Sequence, residues 1–381
     1  MKSNYDILGN HIRLIDTRNT DSVTDRVLGI NIDKFFMPSV ANVIGTDLSK
    51  YKLITKSKFA CNPMHVGRDE RLPVALYEED EPAIVSPAYF MFEIIDRTLL
   101  DENYLMMWFR RPEFDRICWL HTDGSVRGGI TWDDICRLEL PVPAIEEQRD
   151  IVRSYMAITE RIALKRQIND NLEATLDAVF CNLYQSIEDE NAVSFSDLCS
   201  LASSKRVFAE DYVVEGTPFY RGKEITQKRN GEPINDPLFI SNKHYETLKK
   251  NYGVPSCGDI LITAVGTIGN SYLVENEEFY FKDGNIIWLK DFKKAGVNYY
   301  LYDYMQTSIF KRELEGICIG STQTALTIVA LSNLKIKVPE DFALSDYINH
   351  SQTLRSIIQQ NNAEVWRLSL AAQTILASLS R

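Results

Sequence analysis

Long apolar runs are missing from this chain of 381 residues. No stretch approaches the roughly 18 apolar residues that a membrane-spanning helix requires, and Met1–Asn10 lacks the apolar core of a secretory leader. Histidine is scarce: His11, His65, His121, His244 and His350 stand far apart, none at metal-ligand spacing from another His or a Cys. The cysteines (61, 118, 136, 181, 199, 257 and 318) are odd in number and never form Cys-x-x-Cys. That excludes a zinc site of the usual spacing and a closed disulfide framework, and it fits the reduced thiols of a cytoplasmic protein.

Catalytic signatures are missing too. No glycine-rich strand-to-helix turn is present to hold S-adenosylmethionine, and no hairpin carries the spaced acids and lysine of a nuclease. Gly266-Thr267-Ile268-Gly269 is too short to cradle phosphate and is followed by no Lys-Ser/Thr, so it reads as a hairpin turn. Asn62-Pro63-Met64-His65 is similar to the Asn-Pro-Pro-aromatic tetrapeptide of amino-methyltransferases but lacks its second proline and its aromatic; it reads as a loop. Asp259, opening GDILI, reads as a turn residue rather than a metal ligand. Neither a catalytic residue nor a bound metal or cofactor is expected in this chain.

What is present is a repeat. A shift of 196 positions, with no gap, sets Gly124-Ser125 on Gly320-Ser321, Thr131 on Thr327, Leu138 on Leu334 and Val142-Pro143 on Val338-Pro339. The same shift carries Phe114 to Phe310, Arg116 to Arg312 and Leu172 to Leu368. After each Val-Pro step a heptad seam begins. The first runs Ile151, Tyr155, Ile158, Ile162, Lys165, Asn169, Leu172, Leu176, Val179, Leu183. The second runs Tyr347, Ser351, Leu354, Ile358, Asn361, Val365, Leu368, Ala372, Ile375, Leu379. Steps of four and three predict two coiled-coil helices of about 35–40 residues, roughly 50–60 Å long. Short β-rich runs punctuated by Gly, Asn and Asp precede each helix.

The expected architecture is α+β: two β-rich globular domains joined by two long antiparallel coiled-coil helices, with a pseudo-two-fold internal repeat. Its divisions are a domain over 1–145, a helix over 146–190, a second domain over 191–340 and a C-terminal helix over 341–381. Helices packed on their own domains, or paired between chains of a dimer, are the alternatives.

The formal net charge of −11 argues mildly against a simple nucleic-acid binder, although charge can be segregated over a surface. Basic clusters do occur on loop-like sequence. SKYKLITKSKF supplies Lys52, Lys56 and Lys58, and HVGRDER adds His65, Arg68 and Arg71. FYRGKEITQKRNG carries Arg221, Lys223, Lys228 and Arg229; SNKHYETLKK has Lys243, and GTIGN offers Thr267 and Asn270. Arg127 and Gln323 occupy equivalent places, each three residues after the repeated glycine. Cations mixed with amide, hydroxyl and aromatic side chains are what phosphates and base edges require. A solvated loop with ordinary surface charge is the plainer alternative for each cluster.

LPVPAIEEQRDIVRSYMAITERI resembles the proline-x-proline and Glu-Glu-Gln passage that leads into the central conserved helix of Type I restriction–modification specificity subunits. GTDLSKYKLITKSKFACNPMHVGRDERLPVALY resembles one group of that family's first recognition domains. YRGKEIT and GDILITAVGTIGN resemble turns of the other, and GSVRGGIT and GSTQTALT match the motif that ends each domain. The second copy departs from the pattern, since VPEDFALSDYI has no Glu-Glu-Gln. The resemblance implies that each domain reads half of a split, asymmetric double-stranded DNA site in the major groove, with the helices setting the spacer. It implies two modification subunits that bring S-adenosylmethionine and methylate a flipped adenine, and restriction subunits using ATP and Mg. Protein would dock on the acidic connectors, at Glu146, Glu147 and Gln148. The competing readings are a protein-binding scaffold with repeated domains and a single-chain DNA-modifying enzyme.

Overall fold

The short apolar runs form sheets, and they form them twice. The computed structural model describes residues 5–41, 43–64, 66–122, 128–318 and 325–379. It divides into one unit of Met1–Ala163 with Trp366–Arg381 and another of Leu164–Val365.

In the first unit, strands Ile12–Ile15, Phe90–Ile94, Lys58–Cys61 and Val74–Tyr77 lie in that order in an antiparallel sheet. The last three are buried almost throughout, which is why they read as continuous apolar runs rather than alternating ones. A second sheet has the order Phe36–Pro38, Val27–Ile30, Ala83–Val85, Lys52–Ile54, its central pair parallel. Helices Glu102–Phe109 and Pro112–Leu120 bring Trp108, Phe109 and Phe114 onto Phe59 and Phe92 to make the core. Tyr5–Ile7 pairs with Glu139–Pro141, just before the central helix.

The second unit repeats this plan. Ser200–Ala202, Ile286–Lys290, Ile260–Thr263 and Ser271–Leu273 form the antiparallel sheet. Tyr212–Val213, Leu238–Ile240, Thr217–Tyr220 and Tyr280–Phe281 form the other, with the last pair parallel. Ala192–Ser194 pairs with Lys335–Lys337 to close the unit. The 196-residue shift carries Phe90–Ile94 onto Ile286–Lys290 and Glu139–Pro141 onto Lys335–Lys337 with no change of bounds. Thr131 and Thr327 each cap a short helix, accepting from the amides of Asp134 and Ala330, a contact typically worth about 1 kcal/mol.

The long helices span Ile145–Ser186 and Asp341–Ser378. Within the second unit Lys165 Nζ donates to Asn361 Oδ1 at 2.8 Å and lies 3.1 Å from Glu364, while Phe180 meets Tyr347 at 5.9 Å. One numbering rises as the other falls, so the helices run antiparallel. Within the first unit Ile151, Val152, Tyr155 and Ile158 share a core with Ala372, Ile375 and Leu379. Antiparallel pairing inside one chain is therefore realised, and the helices also pack on the domains, as Phe180 does on Tyr300 at 5.0 Å. The second seam is buried or half-buried along its whole length. The first is corrected at its end: Val179 is 41% exposed, while Phe180 and Tyr184 are buried. Those last turns face the aromatic core of Tyr300 and Tyr304, so steps of four replace the heptad alternation. Among the described residues, no helix is long and apolar enough to cross a membrane.

Candidate nucleic-acid interface

Local conformation places the first cluster at the turns between strands. Lys56 lies in the turn between Lys52–Ile54 and Lys58–Cys61, and its ammonium reaches Asp80 at 2.7 Å, which raises its pKa above the ordinary lysine value. Arg68, on the one-turn helix Val66–Asp69, bonds Asp69 at 2.6 and 2.9 Å, and Arg71 bonds Asp33 at 3.0 Å. All three cations are exposed, and exposed ion pairs are weak enough for a phosphate to displace the carboxylate. Lys52 and Lys58 are held more deeply. Lys52 Nζ donates to the Tyr89 carbonyl at 2.6 Å, and Lys58 bonds Glu93, which also takes Arg13 at 2.6 Å. Burial pushes the Lys58 pKa down, with Arg97 and Arg13 adding to the effect. His65, Arg127 and Gln323 lie outside the described residues.

Arg71 stands on the rim of a cleft of about 750 Å³, whose walls include Asp33, Asp69, Arg110, Arg116 and Trp119. Its floor is a buried ion pair: Lys34 Nζ donates to Asp115 Oδ1 at 2.6 Å and to the Leu72 carbonyl at 3.1 Å. Desolvation lowers the Lys34 pKa, and Asp115 opposes that shift.

In the second unit several expected contacts are made internally. Arg229 donates to Asn270 Oδ1 at 2.5 Å and to Gln306 Oε1 at 3.1 Å, while Asn270 donates to Thr226 Oγ1 at 2.9 Å. Lys228 reaches Glu277 at 2.6 Å, between the rings of Tyr220 and Tyr272. Arg221 folds back on Glu224 at 2.7 Å, at the start of helix Gly222–Arg229. Lys223 and Lys243 are exposed and have no side-chain partner among the described residues. Thr267 is exposed in the hairpin connection, where Gly266 and Gly269 take φ of +79° and +90°, values that favour glycine. Asp259 is a turn residue as expected: its Oδ2 accepts from Ser256 N at 2.8 Å and Trp288 Nε1 at 2.9 Å, and burial raises its pKa.

The Glu-Glu-Gln step divides. Glu146 and Glu147 are exposed, but Gln148 is fully buried. Its Nε2 donates to the carbonyls of Leu99 and Pro143, both at 2.8 Å, and its Oε1 accepts from Asp101 N at 2.9 Å. Gln148, expected at a docking surface, instead ties the helix start to its own unit. The available signal was Pro141-x-Pro143: a turn built on prolines leaves carbonyls that need a side-chain donor.

Residues 188–365 match the Type I restriction modification DNA specificity domain family. A protein of Haemophilus influenzae assigned as a type I restriction enzyme specificity subunit is 26% identical over 249 residues, covering 62% of this chain. The match spans 62% of that relative's own length, a little under two thirds. The crystal structure of a Type I restriction–modification S subunit from M. genitalium resembles this chain in fold, with a TM-score of 0.59 and 15% identity, over 98% of this chain and 95% of that one. With residues 188–365 matched as a specificity domain, its β-rich unit built twice and its long helices packed together, the chain is similar to Type I restriction–modification specificity (S) subunits in the sequence of its second unit and in fold.

Proposed function

We propose that this chain gives a Type I restriction–modification complex its DNA sequence specificity, residues 1–145 and 191–340 each reading one half of a split, asymmetric site. The observation that carries this reading is a scaffold written twice beneath different loops. From strands Ala83–Val85 and Tyr280–Phe281 onward the two units keep one register, whereas further back it is lost, strand Lys58–Cys61 answering to Ile260–Thr263 at a different spacing, and the basic loops differ. Two surfaces of different sequence on one framework suit a site whose halves differ.

Lys56, Arg68 and Arg71 serve one half-site together with His65 and Arg127. Lys223, Lys243 and Thr267 serve the other together with Gln323. Lys52, Lys58, Arg221, Lys228, Arg229 and Asn270 act at the same surfaces, either by shaping the loops or by exchanging an internal partner for DNA. The helices over 146–190 and 341–381 set the spacer and receive two modification subunits, which use S-adenosylmethionine to methylate a flipped adenine. Glu146 and Glu147 contribute to that docking. Exposed apolar residues along the helices, including Leu164, Ile168, Trp366 and Leu370, support a protein rather than a DNA contact there. Restriction subunits using ATP and Mg complete the complex in the cytoplasm.

The test is the genome-wide adenine-methylation pattern of strains with and without this chain. A bipartite motif is expected to vanish on deletion, and a motif that persists unchanged would refute the reading.

A further inference from the structure

One arrangement recurs on helices Pro112–Leu120 and Ser308–Ile317. Phe114 and Phe310 are fully buried, and four residues on Cys118 and Leu314 are buried too. These residues turn one helix face to the core. At 3.6 residues per turn, the side chain two places after the phenylalanine projects from the opposite face. Arg116 and Arg312 hold that place, related by the 196-residue shift, and both are exposed. Each has an exposed cationic companion. Arg110 shares the cleft wall with Arg116, and Lys311 adjoins Arg312. None of the four has a side-chain partner among the described residues, in contrast to Lys56, Arg68 and Arg71. Of the carboxylates lining the cleft, Asp33 is bonded to Arg71 and Asp69 to Arg68, Asp115 lies beneath on Lys34, and the exposed Glu70 is the fourth. In the second unit Glu313 is taken by the Tyr304 hydroxyl.

Resting on the specificity-subunit reading above, we propose that Arg116 with Arg110, and Arg312 with Lys311, are matching seats for DNA phosphodiester groups, one seat in each recognition unit. The repetition itself selects the ligand. Half-sites of different sequence present different base edges, so base reading gives no reason for one residue type to recur at one repeated position. The sugar–phosphate backbone is common to both, and phosphate contacts set register without reading sequence. A guanidinium can grip a phosphate through two parallel N–H bonds, and the exposed Trp119 indole beside Arg116 offers apolar contact to the sugar edge.

The experiment uses the full chain assembled with its modification subunits and measures DNA affinity by fluorescence anisotropy over a series of salt concentrations. Arg116→Gln and Arg312→Gln are each expected to weaken binding about fivefold near physiological salt, alike for cognate and unrelated duplexes, and to reduce the salt slope by about one. The double variant should lose about two from the slope, and Arg116→Lys should restore it. Both substitutions are on exposed faces, so an unchanged melting temperature verifies folding. Unchanged affinity and slope in the double variant would overturn the proposal. So would impaired assembly with modification subunits at an unchanged slope, which would make these seats protein contacts. Selective loss of one base preference would overturn it as well. Failure of the parent complex to select any DNA sequence would instead sink the specificity-subunit reading.

Discussion

The two units seat the long helices by opposite chemistry at equivalent positions. In the first, Gln148 reaches into the domain with three hydrogen bonds, and its counterpart in the second, Leu344, packs as a buried apolar side chain. One turn further the roles reverse. Ile151, Tyr155 and Met107 form an apolar contact region in the first unit, where the second has Tyr347, Ser351 and Asp303. Asp303 is buried, accepts from the Tyr347 hydroxyl at 2.6 Å and from the Ser351 hydroxyl at 2.5 Å, and pairs with Arg355. The seams differ likewise: apolar where the first unit's helices meet, and amide-rich in the second, where Asn361 Nδ2 donates to Asn169 Oδ1 and Asn169 Nδ2 to Asn362 Oδ1, both at 2.8 Å. A repeated backbone thus constrains which positions are buried, not whether oil or hydrogen bonds fill them. Where hydrogen bonds fill them, as at Gln148 and Asn169, the buried amide is matched by partners.

Asp303→Ala should break this comparison most severely. It strands the Arg355 guanidinium against the core and should cost roughly 3–5 kcal/mol in denaturant unfolding of the second unit. Met107→Ala at the matching place should cost only the cavity, about 2–4 kcal/mol, and leave no charge behind. Equal insensitivity at both places would show that Asp303 is not an anchor. Next in size is Gln148→Leu, which copies the second unit into the first. The carbonyls of Leu99 and Pro143 and the amide of Asp101 lose their partner, at a cost of about 1–3 kcal/mol. Glu147→Ala, one residue away and exposed, should leave the melting temperature unchanged, and matching losses for the two would mean the buried amide is not what holds the helix start. The smallest effect is expected in the amide seam. Asn361→Leu alone should destabilise by roughly 1–2 kcal/mol, because Asn169 and Lys165 each lose a bond. Asn169→Leu added to it should recover only part of that loss, since Asn169 is no longer left unpaired while Lys165 and Asn362 still lack their bonds. Strictly additive losses in the double-mutant cycle would show that the asparagines act separately.

Much of the framework could be read from the chain. Both long helices, the phase of the second seam and the equivalence of Thr131 and Thr327 follow from spacing, while only the structure shows that the two threonines cap helices. Val179 escaped that reading because the last turns of its helix face a domain core and not only a partner helix. Gln148 escaped because a polar residue in an acidic first turn reads as exposed, and only Leu99, a long way back in the chain, shows where its amide goes. The loop cations were legible as clusters but not as contacts. Arg229 and Asn270 are separated by 41 residues, and only folding reveals that they bond each other.

By itself, then, the sequence determined the repeat, the two long helices and most of the seam positions that they bury. Each of these depends on neighbours within a turn or two, or on one pattern copied at a constant spacing. Tertiary structure alone decided which cations stay free, which are tied to a carboxylate or an amide, and where the second sheet of each unit takes its fourth strand. That strand lies beside Ala83–Val85 in the first unit and beside Leu238–Ile240 in the second. The reason is physical: a polar side chain is committed by whichever partner the fold brings within about 3 Å of it, and an edge strand by whichever open backbone it meets. Neither partner is written next to it in the chain.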